Sequence, residues 1–212
     1  MHKSIKIFFV LAAFAGIISA QGFKVKTAGV QTFNFADERG RNHVSFFSTA
    51  PLEDITGTAS GVSGTVSFDP ANFAKTLKGK IGVKVATMNT GIELRNEHLR
   101  GPNWFDAGNY PDVTFEIKSV SDLKQAGDNK IEFKVEGDFT FHGVTKEITA
   151  DAEAAYLEEN EQTQKRAPGD LLGVRAKFYV KLSDYDVDNQ LIGSKVAEDI
   201  EVSVNMVGSN KM

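Results

Sequence analysis

Histidines and clustered acids are the residue types in this chain that could support metal or acid–base chemistry. After the first twenty residues the histidines are His43, His98 and His142, and no two of them share a spacing that would place both on one metal ion. An HExxH sequence is absent. A structural or solvent-facing role for each histidine is therefore favoured over metal ligation.

The acidic run DYDVDN, residues 184–189, resembles the opening of a calcium-binding loop. Its sixth position is Asn189 instead of glycine, and its twelfth is Lys195 where a bidentate glutamate is required. A solvated loop is favoured, so we predict no metal site.

Sequence motifs for catalysis are also missing. The chain has no cysteine, no GxSxG elbow, no GxxxxGK[ST] phosphate loop and no dinucleotide fingerprint after a strand. We predict that the protein is not an enzyme and has no catalytic residues. A hydrolase or isomerase whose catalytic groups assemble only in three dimensions stays open as an alternative.

Composition bounds the fold and the partners. The chain has 212 residues, a net charge of -4, 41% hydrophobic and 25% charged residues, and 16 phenylalanines. This length and composition predict one folded domain with a sizeable core. The acidic balance argues against a nucleic-acid partner, which usually requires clustered Lys and Arg.

The first twenty residues have the pattern of a signal peptide. Lys3 and Lys6 precede an apolar run over residues 7–18, and the small Ser19 and Ala20 follow it. A run of twelve is shorter than the roughly 20 residues that a membrane-spanning helix needs. We expect residues 1–20 to be removed and residues 21–212 to form an exported domain, periplasmic or secreted.

The rest of the chain alternates between apolar and polar residues. In 131–141 the odd positions carry Ile131, Phe133, Val135, Phe139 and Phe141, whereas the positions between them are charged or polar. A period of two predicts an antiparallel strand with one dry face. The same rhythm predicts about nine strands, at 33–35, 44–46, 62–68, 81–85, 113–117, 131–141, 148–156, 174–182 and 200–206.

The number and length of these strands predict an all-β fold. A twisted sheet of this size closes or splits, so we expect a closed antiparallel barrel of about eight strands. An immunoglobulin-like sandwich is the competing fold. A transmembrane barrel is disfavoured because the chain has one Trp and four Tyr and so lacks aromatic girdles.

One helix should interrupt the strands. Thr90 and Glu93 have the spacing of a capping box, and Gly101 followed by Pro102 fits a helix end with glycine in the left-handed conformation. We predict a helix over Gly91–Arg100 that plugs one barrel mouth. Loop 157–170 is polar and aperiodic, which indicates a long, mobile, solvated hairpin loop.

The dry faces define an aliphatic and aromatic barrel interior. Small residues share these faces with the rings, so the interior either holds a cavity or is filled as the rings swing in; the pattern leaves both open. The residues that we predict to line an apolar ligand cavity are Phe33, Phe35, Phe46, Phe68, Val83, Val85, Val113, Phe115, Ile117, Phe133, Val135, Phe139, Phe141, Phe178 and Val180.

Two stretches resemble the signature of the YceI-like polyisoprenoid-binding family: TGIELRNEHLRGPNWFDAGNYPDVTFEIKSV at 90–120 and GDFTFHGVTKEI at 137–148. The resemblance covers essentially the whole chain after residue 20. It implies a lipocalin-like barrel that carries or sequesters an isoprenoid lipid, such as a polyprenyl chain or a quinone tail, without needing a further cofactor.

Other partners stay open as alternatives. The interior could be a solid core, with a protein bound through the helix and loop around Trp104. We also keep a homodimer and a peripheral or transient membrane contact as open possibilities.

Overall fold

A computed structural model describes residues 22–211, which form ten strands and two short α-helices. The predicted signal peptide at 1–20 lies outside the described residues. The strands are β1 (Gln31–Asn34), β2 (His43–Thr49), β3 (Asp54–Ala59), β4 (Val62–Phe68), β5 (Lys78–Lys84), β6 (Asp112–Gly127), β7 (Lys130–Phe141), β8 (Val144–Leu157), β9 (Leu171–Lys181) and β10 (Asp199–Ser209). The helices are α1 (Phe73–Thr76) and α2 (Glu93–Arg100), and short 3-10 turns occupy Pro70–Asn72, Val85–Thr87, Thr163–Lys165 and Leu182–Tyr185.

Eight strands close into an antiparallel barrel, as predicted. Their order is β1-β4-β5-β6-β7-β8-β9-β10, and Asn34 on β1 pairs with Ser209 on β10 to close the ring. The other two strands form a hairpin that pairs with the first half of β10 through β2, with Val202 opposite Phe46. This hairpin continues the wall where β10 has no contact with β1.

Strand β3 was not predicted, and it raises the count of strands from nine to ten. Its sequence, DITGTA, offers only Ile55, Gly57 and Ala59 as inward positions, so the apolar signal is weak. The Cβ that an alanine would add at Gly57 would lie 2.1 Å from an atom of the Phe46 ring. Because Gly57 has no side chain, the Phe46 ring on β2 can lie across strand β3 at this position.

Helix α2 is present and ends at Arg100 as predicted, but its first residue and the backbone conformations at its ends differ from the prediction. It begins at Glu93, and no capping box forms, because the Thr90 hydroxyl donates a hydrogen bond to Asn96 Oδ1 at 2.9 Å. Asn96 is 3% exposed and also bonds Asn89 through its amide nitrogen at 3.0 Å. Gly101 has φ -76°, so the helix ends without a left-handed residue. The buried Asn96, instead of a terminal cap, organises the entry to this helix.

Aromatic packing closes one end of the barrel. Phe33 stacks on Phe68 at 5.4 Å between ring centroids, and Phe73 meets Phe68 edge-on at 4.9 Å. Phe23 and Tyr156 complete the cluster, and all five side chains are buried. Such ring pairs each contribute about 0.5–1.5 kcal/mol beyond burial itself. We call this end, defined by these five residues, the closed end.

The loop between β8 and β9 is anchored over the closed end, unlike the mobile loop that its composition predicted. Asp170 accepts hydrogen bonds from the Tyr156 hydroxyl at 2.7 Å and from the Glu159 backbone N–H at 2.8 Å. Burial and the bond to Asp170 both raise the pKa of Tyr156, so its hydroxyl stays a donor. Arg166 reaches across to Asn42 Oδ1 at 2.9 Å. Local polarity could not reveal these long-range partners.

Within residues 22–211, no helix is long and apolar enough to cross a membrane.

Candidate functional site

The barrel encloses a cavity of about 610 Å³ that opens at the end opposite the closed end. This volume lies within the ~300–1,000 Å³ typical of ligand cavities. Of the 45 residues that line it, seven are polar: Ser48, Glu53, Thr90, Arg95, His98, Thr114 and Lys195. The interior is therefore an apolar chamber and not a solid core.

Small side chains on adjacent strands create the space. Ala150, Ala152 and Ala154 on β8 and Ala176 on β9 all line the cavity. They alternate with outward positions, and Ala152 lies directly opposite Ala176 across the two strands. Large residues at these positions would fill the chamber. This stretch of the wall is therefore built from residues too small to close the space.

Aromatic side chains form much of the remaining wall. The Phe115 ring on β6 lies over Gly137 on β7, where an added Cβ would be 2.6 Å from a ring atom. Phe139 meets the rings of Phe178 and Tyr185 edge-on, each at 5.5 Å. Burial raises the pKa of Tyr185 to about 12, so it stays neutral beside these rings. The wall is rigidly packed even though the chamber is open.

Helix α2 and the loop after it border the mouth of the cavity. Ile92, Leu94 and Leu99 line the opening, together with Trp104. Phe105 packs edge-on against Phe141 at 4.7 Å. The helix is fixed at its far end by Arg100, which donates to the Met88 carbonyl at 2.9 Å. The prediction that this helix lies at one mouth agrees with its position in the structure.

Charged groups among the lining residues belong to segments at the mouth. Arg95 on α2 forms an ion pair of 2.8 Å with Glu53 in the β2–β3 turn. His98 follows one turn later on the same helix, and Lys195 comes from the loop before β10. An apolar tail can thus lie in the chamber while a polar head meets charged side chains at the opening.

Twelve of the predicted cavity residues line the chamber. They are Phe35, Phe46, Val83, Val113, Phe115, Ile117, Phe133, Val135, Phe139, Phe141, Phe178 and Val180. Contact of these residues with a ligand stays a prediction.

The other three, Phe33, Phe68 and Val85, do not line the chamber, and their predicted position was wrong. Phe33 and Phe68 point inward but belong to the closed end, below the cavity floor. Val85 lies in a 3-10 turn beyond β5 and packs with Ala59 and Met88. Alternation predicts the face of a strand but not the height of a residue along the barrel.

Several wall residues were missed by the sequence interpretation. The inward positions of β10 belong to a recognised strand and could have been included on their alternation alone: Ile200, Val202, Val204 and Met206. Ile55 and Ala59 were missed together with β3. The charged mouth residues Arg95, His98 and Lys195 carried no recognisable motif.

The described residues contain no group of three or more His, Asp or Glu side chains placed to hold a metal ion. In DYDVDN, Tyr185 is buried and Asp186 adopts φ 56°, in a turn that follows a 3-10 helix.

The fold and the site define a lipocalin-like antiparallel barrel with an apolar internal chamber open at one end. The pattern of the YceI-like domain family matches residues 23–208, and the chain belongs to this family. A UPF0312 protein of Vibrio parahaemolyticus is 31% identical over 153 residues, which span 72% of this chain and 74% of that protein.

Solved structures share the fold. BcnA of Burkholderia cenocepacia superposes with a TM-score of 0.62 at 24% identity, covering 79% of this chain and 96% of BcnA. A polyisoprenoid binding domain from Saccharophagus degradans superposes with a TM-score of 0.61 at 14% identity, covering 86% of this chain and 99% of that domain. These likenesses establish the architecture of the barrel.

Proposed function

We propose that this chain is an exported, non-catalytic binding protein that carries or sequesters an isoprenoid lipid, a polyprenyl chain or a quinone tail, in its barrel. The observation that carries the proposal is the apolar chamber of about 610 Å³, whose charged lining residues belong to segments at the mouth. An extended apolar chain fits such a chamber, and a polar head group fits its opening. The family membership and the polyisoprenoid-binding neighbour support the same ligand class.

Burial of the tail would supply the affinity. Each CH2 group removed from water contributes about 0.8 kcal/mol, before the losses from ordering the chain. The walls around Ala152 and Phe133 offer no ionisable side chain. Acid–base catalysis in the depth of the chamber therefore has no group to perform it, which supports binding without turnover.

Export is supported by the basic, apolar and small-residue pattern of residues 1–20. The closed barrel lies within the described residues 22–211. A carrier outside the cytoplasm would meet lipids of a membrane surface. Intact-mass measurement of the protein recovered after export tests whether residues 1–20 are removed.

The alternative of a solid-core barrel that binds a protein through Trp104 is not supported. The interior is open, and Trp104 is half-buried and lines the chamber. Its ring packs with the aromatic cluster that contains Phe139 and Phe141. Trp104 is therefore part of the cavity wall instead of a free surface for a protein partner.

Solvent extraction of the natively purified protein followed by mass spectrometry tests the ligand. We expect a stoichiometric prenyl lipid, quinone or polyprenol. Ala152→Phe places a ring inside the chamber and should reduce the bound lipid several-fold. Ala155→Phe, on the outward face of the same strand, is the matched control and should leave the lipid content unchanged.

Two outcomes would refute the proposal. One is a wild-type protein that carries no isoprenoid and fails to take up an added quinone or polyprenol. The other is equal lipid content in Ala152→Phe and Ala155→Phe, both folded by circular dichroism, since that would place the lipid outside the chamber.

A further inference from the structure

Four large apolar side chains are exposed around the mouth of the cavity. Leu52 is 69% exposed, Leu94 61%, Ile92 50% and Leu191 38%. Three of them, Ile92, Leu94 and Leu191, also border the chamber. We call these four residues the apolar rim, because they continue the apolar cavity wall onto the outer surface.

The rim residues come from three segments that the structure holds together. Leu52 lies in the β2–β3 turn, and its backbone N–H donates to the Ser194 carbonyl in the loop that carries Leu191, at 3.2 Å. The same turn is joined to α2 by the 2.8 Å ion pair between Glu53 and Arg95. The rim is therefore a fixed surface and not a set of independent side chains.

This concentration of apolar side chains at one opening needs a reason. Single exposed apolar residues are ordinary on soluble proteins, whereas a group with polar surroundings usually marks a binding surface. Other large apolar or aromatic side chains are also exposed, but none of them lines the chamber: Val30, Phe47, Tyr110, Leu157 and Tyr179. Val30 and Leu157 lie near the opposite end of the barrel. Exposure of Ile92 and Leu94 to water does not stabilise the core, so packing within the protein does not explain it.

The charges around the rim suit a lipid head-group layer. Arg95, His98 and Lys195 line the opening, and Glu53 is the acid among the lining residues. Cationic side chains beside apolar ones are typical of surfaces that lie in a membrane interface. Glu93 and Glu97 are also exposed on α2, so insertion of the apolar side chains should contribute more than charge.

We infer that the apolar rim docks on a lipid bilayer, with the mouth of the cavity facing the membrane. This inference rests on the proposed function, because an isoprenoid is nearly insoluble in water and must pass between a bilayer and the chamber. The rim would enter the boundary between head groups and acyl chains, which lets a tail move into the chamber without crossing water. The closed end would then point away from the membrane.

Vesicle flotation tests the inference. The protein, with loss of residues 1–20 verified by intact mass, is mixed with vesicles of phosphatidylethanolamine and phosphatidylglycerol in equal parts. We expect wild type to float with the vesicles, and Leu52→Glu with Leu94→Glu to weaken partitioning about tenfold for each side chain that no longer inserts. Val30→Glu with Leu157→Glu, near the closed end, adds the same charge and should leave partitioning unchanged.

The outcomes separate this inference from the proposed function, since extraction and mass spectrometry measure the bound lipid independently. A wild-type protein that contains isoprenoid yet does not float overturns the docking surface and leaves the carrier intact. An equal loss of vesicle partitioning in the two double variants, at the rim and near the closed end, also overturns it. If the rim instead binds a second copy of the chain, wild type does not float and forms a dimer, and the Leu52→Glu with Leu94→Glu variant is a monomer. This result overturns docking on a bilayer.

Discussion

Arg95 on α2 and Glu53 in the β2–β3 turn form an ion pair of 2.8 Å between two segments that border the mouth of the cavity. Their side chains are 29% and 38% exposed, so water screens the pair and its contribution to stability is about 0–1 kcal/mol. The ion pair matters because of where it lies. It joins the helix that borders the opening to the hairpin that completes the barrel wall.

Glu53→Gln should therefore change ligand exchange more than stability. We expect the free energy of unfolding to fall by at most about 1 kcal/mol, and lipid release to accelerate by up to about fivefold as α2 loosens. Stopped-flow transfer of a fluorescent prenyl lipid to acceptor vesicles measures the rate, and urea unfolding measures the stability.

Glu201→Gln is the matched control for that measurement. It removes an ion pair with Lys177 of the same 2.8 Å length on the outer wall of β10. Release from this variant should match wild type. Acceleration by the same factor in both variants would show that α2 is not held by its partner in the turn.

A second prediction tests which face of β7 meets the ligand. Phe133 is 7% exposed and lines the chamber, with its ring 5.0 Å from that of Phe73. Phe133→Asp would place an unpaired carboxylate in an apolar wall, at a cost of several kcal/mol. We expect this variant to lose its lipid, and a large fraction of it to be unfolded by near-UV circular dichroism.

The neighbouring position gives the comparison. Lys134 points outward and pairs with Asp151 at 2.6 Å. Lys134→Asp loses this exposed pair and sets two carboxylates opposite each other across the strands, so we expect only a small loss of stability and an unchanged lipid content. Similar lipid loss in both variants would contradict the assignment of the two faces.

The alternation of β7 shows how much of this site the sequence contains. Because side chains alternate along a regular strand, the inward positions of β7 can be assigned from the amino-acid pattern alone. Height along the barrel has no such local signal. Phe33 and Phe35 share a face, but Phe35 lines the chamber, whereas Phe33 packs in the closed end against Phe68. Three-dimensional packing between distant segments decides which inward ring faces empty space.

The mouth was the least predictable part for a related reason. Its geometry depends on individual hydrogen bonds, such as Thr90 to Asn96 and Leu52 to Ser194, and not on a repeating pattern along the sequence. The sequence signal of strand β3 is weak because glycine at position 57 interrupts its apolar face, although this glycine is what admits the Phe46 ring. The residue that makes the packing possible is the one that weakens the sequence signal.

A third prediction separates stability from binding at the closed end. Phe68 is fully buried among Phe23, Phe33 and Phe73 and does not line the chamber. Phe68→Leu should lower the free energy of unfolding by about 1–2 kcal/mol, because ring contacts are lost and the smaller side chain fills the space only in part. Urea unfolding gives the stability, and extraction should show a wild-type lipid content. A drop in lipid content for the folded variant would mean that the chamber extends below Phe35.

A fourth prediction concerns how Asp37, in the loop between β1 and β2, makes the stability of the protein depend on pH. The Asp37 side chain is 5% exposed and lies 3.0 Å from Arg41 Nε and 3.1 Å from the Arg166 guanidinium. The hydrogen bond from Arg41 is the largest cause that holds the pKa of Asp37 well below its ordinary 3.8. A carboxyl with a lowered folded pKa stabilises the fold above its unfolded pKa, and this contribution fades as the pH falls below about 4.

Asp37→Asn should therefore be costly at neutral pH and less so in acid. We expect it to lower the free energy of unfolding by about 1–3 kcal/mol at about pH 7, because two arginines lose their charged acceptor. The difference in free energy of unfolding between the variant and wild type, which we call the gap, should narrow at about pH 3. At that pH the unfolded wild type binds a proton at Asp37 that the native state does not bind. Urea titrations of both proteins at the two pH values measure the gap.

Asp128→Asn, at an aspartate whose side chain is 86% exposed and 3.7 Å from Lys24, serves as the control and should show almost no gap at either pH. A gap for Asp37→Asn that stays constant or widens in acid would show that Asp37 acts through its shape and neutral hydrogen bonds and not through its charge.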